Sequence, residues 1–136
     1  MPSALVDSIR SVPLFADLSR SDVKAIAEIS HEVFHDAGRV VIDEGESGAS
    51  FHLILEGEAD VLVGERHVRR LSPGDYFGEI SLIDGGPRTA TVVTTTPMLT
   101  IAIPAWRFSK LLDRKPELAR ALLLGLCRAV RAQSGE

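Results

Sequence analysis

One cysteine is all that the 136 residues contain. Cys127 has no second thiol for an internal disulfide and no second sulfur for a metal site, which excludes a disulfide framework and fits a reducing compartment. Long apolar runs are also missing: nothing approaches the roughly 20 residues needed to span a bilayer. The N-terminus, MPSALVDSIRSVPLF, lacks a basic start followed by an apolar segment, so no secretory signal is expected and a cytoplasmic location is. Basic residues are not in excess. Fifteen Lys and Arg against 19 Asp and Glu leave a formal charge of -4, which argues against a duplex-sized nucleic-acid footprint. Any anion bound here must be recruited by a local arrangement. The four histidines are scattered as His31, His35, His52 and His67, read as solvated or half-buried strand residues, and no metal is expected. There is no fixed-period repeat, charge block or low-complexity tract.

The length suits one domain with a single core. From about Ala4 to Ser30 the pattern is helical. Leu5, Ile9 and Val12 form one stripe, and Ser19 stands as N-cap three residues before Asp22, ahead of Val23, Ile26 and Ala27. From His31 the chain breaks into short runs rich in Val, Ile, Phe and Thr: HEVFHD, RVVID, SFHLILEG, EADVLV, HVRRL, DYF, TATVVTT and MLTIAI. Period two puts Phe51, Leu53 and Leu55 on one face of their strand, and Ala59, Val61 and Val63 on one face of theirs. About eight short strands of even spacing predict an antiparallel jelly-roll barrel over residues 31–103. Gly45, Gly48, Gly57, Gly64 and Gly74 fall between the runs, as turns require.

Helical spacing returns over residues 104–133. Trp106, Leu111 and Leu112 lie near one face, and Pro116 ends one helix and opens the next. Leu118, Ala121, Leu122, Leu126, Ala129 and Val130 stripe the last helix, with Cys127 read as a small buried hydrophobe on it. That stripe reads as core and lid, or as a dimer seam. The expected fold is mainly β, an eight-stranded antiparallel jelly roll with N-terminal helices and two C-terminal helices.

One stretch, DYFGEISLIDGGPRTATV from Asp75 to Val92, departs from the strand pattern. It holds Glu79 and Arg88 among three glycines and a proline. Gly78 lets the chain turn after Phe77, and EISL can form one helical turn whose free N–H groups suit a phosphate or carboxylate. Arg88 offers a planar fork that matches phosphate oxygens. Glu79 is an acceptor suited to a ribose hydroxyl. The two residues are either a self-satisfied ion pair or two halves of a receptor for a sugar phosphate. Ser81 has no evident base beside it and reads as a cradle residue, not a nucleophile.

PGDYFGEISL, five residues, then RTATV resembles the phosphate-binding cassette of cyclic nucleotide-binding domains, the sensor modules of catabolite activator-type regulators, cyclic nucleotide-dependent kinases and gated channels. EGESGASFHLILEGEADV extends the resemblance, which runs from about Phe15 to Ala129. It implies a cassette over residues 77–90, in which Glu79 accepts from the ribose 2′-hydroxyl and Arg88 pairs with the cyclic phosphate. Phe77, Gly78, Ile80, Ser81, Thr89 and Ala90 complete the cradle. Val61 and Arg69 are implied for the base pocket, and Cys127, Arg128 or Val130 for a lid formed by the last helix. Thr89 is compatible with guanine contacts, yet cAMP is favoured over cGMP.

The resemblance implies a regulatory module that needs no cofactor, has cAMP or cGMP as ligand, catalyses nothing, and signals through its C-terminal helices to a second copy or a downstream effector domain. Two alternatives stand beside it: a degenerate domain kept as a protein interaction module, and a cupin-type metal enzyme, which would need clustered histidines. A transcription regulator would carry a helix-turn-helix after the long helix; the chain stops at Glu136, so DNA binding is not expected from it.

Overall fold

The computed structural model describes residues 3–46, 50–78, 82 and 86–134. They form two compact units, one of strands over Ser30–Arg107 and one of helices from the segments on either side.

In the strand unit, eight strands follow one another: β1 His31–His35, β2 Val40–Ile42, β3 Ser50–Glu56, β4 Ala59–Val63, β5 Arg66–Leu71, β6 Tyr76–Phe77, β7 Thr91–Thr94 and β8 Met98–Pro104. Each coincides with one of the eight apolar runs, because β-branched and aromatic residues suit a pleated, half-buried surface. All strand pairs are antiparallel, in two four-stranded sheets ordered β1-β8-β3-β6 and β2-β7-β4-β5. The expected barrel is corrected in one respect: among the described residues no ladder joins the two sheets into a closed ring. Bulges in β2, β3 and β5 bend the strands, and the two sheets enclose a core with no shared ladder among the described residues.

The shared core consists of Ile42, Ala59, Val61, Leu71 and Val92 from the second sheet with Ile54, Phe77 and Met98 from the first. Alternation holds on β4, where Ala59 and Val61 are buried, but Val63 at its end is exposed. It fails on β3. Phe51, His52, Leu53 and Ile54 are all buried, so both faces of β3 are covered over this stretch. At Gly57, φ is +92° and a Cβ would collide with the Pro97 carbonyl, so the β3–β4 turn admits no side chain.

The helical unit contains α1 Ser3–Arg10, a 3-10 turn at Pro13–Phe15, α2 Arg20–Ile29, most of α3 Ala105–Arg114 and α4 Pro116–Ser134. Ser19 caps α2 as expected: its Oγ accepts from the Asp22 N–H at 3.1 Å. Val6, Ile9 and Val12 are buried, one step round the helix from the expected stripe that began at Leu5. Phe15 and Phe108 meet with ring centroids 6.4 Å apart. Gly125 of α4 lies against the 3-10 turn, where a Cβ would come 2.7 Å from the Leu14 carbonyl oxygen.

Two helical expectations are corrected. Trp106 is 64% exposed, while Phe108 and Leu111 take the buried positions of α3. Cys127 is exposed, because Leu118, Leu122 and Gly125 set the buried face of α4 and Cys127 falls outside it. No helix among the described residues is long and apolar enough to cross a membrane.

Candidate anion-binding site

Arg88 is the centre of the site, and its backbone is fixed before its side chain is. The Arg88 N–H donates to the Glu46 carbonyl at 2.7 Å, and the Arg88 carbonyl accepts from the Gly45 N–H at 2.9 Å. Nearby, the Thr91 hydroxyl accepts from the Glu44 N–H at 3.0 Å and donates to Asp43 at 3.1 Å. These bonds tie the chain entering β7 to the chain leaving β2.

The side chain then runs inward. Arg88 is only 7% exposed, and burial lowers its pKa, though a guanidinium stays charged at any physiological pH. Nη2 donates to the Ser50 carbonyl at 2.7 Å. Nη1 is buried and, among the described residues, has no hydrogen-bond partner. A buried cationic donor without a partner is expensive, and native proteins tolerate one chiefly where something else is meant to complete it.

Gly78 explains how the guanidinium reaches this place. Its φ is +88°, and a Cβ there would sit 2.7 Å from Arg88 Nη1 and 2.8 Å from the Ser50 oxygen. Only a residue without a side chain lets the arginine fork lie against the backbone after β6. Past Gly78, the Leu82 N–H donates to the Gly78 carbonyl at 3.1 Å.

Beside the fork lies a cavity of about 110 Å³ within the strand unit. Phe77, Gly78, Arg88, Thr89 and Ala90 line one side, together with Tyr76. The other side is a single rung across the second sheet: Ile42 opposes Val92, Val92 opposes Val61, and Val61 opposes Arg69. All four members of that rung line the cavity. The surface pairs an apolar wall with two guanidinium groups, one buried and one exposed on β5.

The sequence-predicted residues divide into three groups. Phe77, Gly78, Arg88, Thr89, Ala90, Val61 and Arg69 come together around this cavity. Glu79, Ile80 and Ser81 lie outside the described residues, as does Gly48. Cys127, Arg128 and Val130 sit on α4 in the helical unit: Cys127 and Val130 are exposed, and Arg128 pairs with Asp17 at 2.7 Å.

Ile42, Val92, Tyr76 and the Ser50 carbonyl are additions that sequence reasoning missed. Ile42 and Val92 could have been found by laying Val61 in register with its neighbours; a backbone carbonyl leaves no trace in residue type. Of the four histidines, His31 and His67 are exposed and His35 half-buried, as expected, but His52 is not. His52 is buried on β3, its ring stacked on Phe77 with centroids 5.0 Å apart. Among the described residues, no group of three or more His, Cys, Asp and Glu is placed to hold a metal ion.

A family model described as the cyclic nucleotide-binding domain matches residues 32–115. The cAMP-dependent protein kinase regulatory subunit of Eremothecium gossypii is 39% identical over 115 residues, covering 84% of this chain and 25% of the relative. The cGMP-dependent protein kinase, isozyme 1, of Drosophila melanogaster is 38% identical over 99 residues, covering 68% of this chain and 13% of that one. Among solved structures, the N-terminal domain of a transcriptional regulator from Streptomyces coelicolor A3(2) superposes with a TM-score of 0.83 at 30% identity, covering 93% of this chain and 94% of the other. The chain spans about a quarter of the length of the kinase regulatory subunits it matches.

Proposed function

Because the chain belongs to the cyclic nucleotide-binding domain family, we propose that the cavity beside Arg88 is its nucleotide site and that the ligand is cAMP. The observation that carries this reading is a buried arginine whose Nη1 has no hydrogen-bond partner among the described residues, next to an open cavity. A cyclic phosphate bears one negative charge and several acceptor oxygens, which one guanidinium with converging backbone N–H groups can satisfy. Arg88 is the phosphate partner. Glu79 accepts from the ribose 2′-hydroxyl, and the N–H groups of Gly78, Ile80, Ser81, Thr89 and Ala90 complete the cradle. The apolar part of the rung, Ile42, Val92 and Val61, offers the base a flat wall.

Binding is transmitted through the C-terminal helices. A ligand shifts a conformational equilibrium only by the difference in its affinity for the two states, so helix positions that differ in their contact with the bound base would supply the coupling. Cys127, Arg128 and Val130 are the lid positions in this scheme. The output is a second copy or an effector domain, the location is cytoplasmic, and the module performs no catalysis. That kinase regulatory subunits named for cAMP are among the relatives supports the choice of nucleotide.

A second reading, cGMP, is favoured by one observation. Arg69 and Thr89 both line the cavity, and a guanidinium matches the O6 and N7 acceptors of guanine as it cannot match the donor–acceptor edge of adenine. Titration calorimetry with each nucleotide on the intact chain and on Glu79→Ala tests both readings. Loss of Glu79 should weaken binding by about 1.5 to 3 kcal/mol, the range for a hydrogen bond to a charged group. No heat and no thermal shift with either nucleotide would sink the sensor reading and leave a degenerate domain that serves protein interaction.

A further inference from the structure

The first sheet buries a polar cluster that the proposed function leaves unused. His52 on β3 is 7% exposed, Thr100 on β8 is fully buried, and His35 on β1 is half-buried. The Thr100 Oγ1 lies 3.1 Å from His52 Nδ1 and 3.2 Å from His35 Nε2. The sheet assembles this arrangement. β8 lies between β1 and β3, with His35 opposite Met98 and His52 opposite Ala102, so Thr100 is the diagonal neighbour of both histidines.

The cluster reaches the anion site along two routes. The His52 ring stacks on Phe77 with planes 14° apart, and Phe77 leads directly into Gly78, against which Arg88 Nη1 lies. Two residues before His52, the Ser50 carbonyl holds Arg88 Nη2. Arg88 is also felt through space. Burial first, then the charges of His35, Arg88 and His31, hold the His52 pKa down at about 3. His35 is likewise lowered by burial, and Asp36 and Arg39 line the open hollow on its outer side.

We propose that His52 is a positioning residue of the anion site, and that its tautomer is set from the protein surface by His35 through the Thr100 hydroxyl. The hydroxyl has one proton for two ring nitrogens, so whichever nitrogen does not receive it must donate its own N–H to the oxygen. When His35 is protonated, its Nε2–H donates to Thr100, the hydroxyl donates to His52 Nδ1, and His52 carries its proton on Nε2. When His35 is neutral, the reverse order also becomes available, with His52 Nδ1–H donating to Thr100 and the hydroxyl to His35. One proton thereby changes sides on a ring stacked beneath the cassette and within the field of Arg88. The geometry and the tautomer coupling stand without a ligand; only the identity of the anion rests on the proposed function.

The test is nitrogen-15 NMR on the intact, ligand-free chain, following the ring nitrogens of His35 and His52 and the Nε–H of Arg88 as pH is lowered from neutral into the acid range. His52 should stay neutral, settle into the Nε2–H pattern as His35 titrates, and carry the Arg88 signal with the same midpoint. Thr100→Val should abolish both responses while His35 still titrates, and Thr100→Ser, which keeps the hydroxyl, should restore them. His52 or Arg88 signals that ignore the His35 titration in the parent chain overturn the proposal.

Calorimetry with cAMP supplies a second arm. His52→Asn keeps the bond to Thr100, loses the stack on Phe77, and should bind roughly 10-fold more weakly. Parent-like affinity in His52→Asn would make His52 a core residue and nothing more. A parent chain that binds neither nucleotide sinks the sensor reading and leaves the resonance arm to decide the histidine proposal.

Discussion

The two compact units treat buried charge differently. In the helical unit, the buried Asp22 carboxylate is closed by a cation, with Lys115 Nζ 2.9 Å away. In the strand unit, Arg88 is buried with a backbone carbonyl on one nitrogen and, among the described residues, no hydrogen-bond partner on the other. The first pattern is that of charges serving stability, since each has its counterpart nearby. The second is, on the proposed reading, that of a charge held ready, whose desolvation a ligand would offset.

The sharpest way to break this contrast is to remove each kind of cation. Arg88→Met should lower cyclic nucleotide affinity roughly 100-fold or more, because a charged, bidentate partner is lost, and should move the melting temperature less than Lys115→Met does. Lys115→Met should show the opposite profile, stranding the Asp22 carboxylate and lowering the melting temperature while binding is kept. Calorimetry and thermal denaturation of the pair decide it; matching profiles would erase the distinction.

Gly78→Ala comes next in size. A left-handed φ and a Cβ pressed on the guanidinium and the Ser50 oxygen should cost about 2 to 4 kcal/mol in urea denaturation and abolish binding with it.

Acid should act on the strand unit through His52. Its folded pKa of about 3 lies below the unfolded value of 6.5, so the unfolded state takes up the proton first and stability falls as pH drops below 6.5. Between pH 7 and 5 the loss should be about 2 kcal/mol, and His52→Phe should flatten that part of the profile. Gly125→Ala in the helical unit should have the smallest effect, about 1 kcal/mol by equilibrium denaturation. There the crowding of the Leu14 carbonyl outweighs the better helix propensity of alanine.

Much of this could be read before any coordinates. Eight short runs of β-branched and aromatic residues became eight strands, because strand formation is local in residue type and spacing. Ser19 capped its helix for the same reason. Phe77, Gly78, Arg88, Thr89 and Ala90 were legible as neighbours, and they do line one cavity, because they lie within one short stretch around a glycine turn. What escaped was non-local. The rung from Ile42 to Arg69 depends on the register of four strands, and the burial of β3 on both faces depends on what packs against it rather than on its own alternation. The four histidines look scattered along the chain; β8 gathers His35 and His52 around Thr100. Trp106 and Cys127 were misplaced because helical periodicity gives a stripe without saying which of two adjacent stripes faces inward.

The rung has a consequence for how such a pocket can diversify. In the proposed site, the phosphate anchor is Arg88 with Gly78 and a carbonyl of β3, whereas the wall offered to the rest of the ligand belongs to four side chains on β2, β7, β4 and β5. The two sets share no residue. Variation at Ile42, Val61, Arg69 and Val92 can therefore explore different bases while the anchor stays intact, and a library confined to those four positions would recode the ligand without rebuilding the receptor.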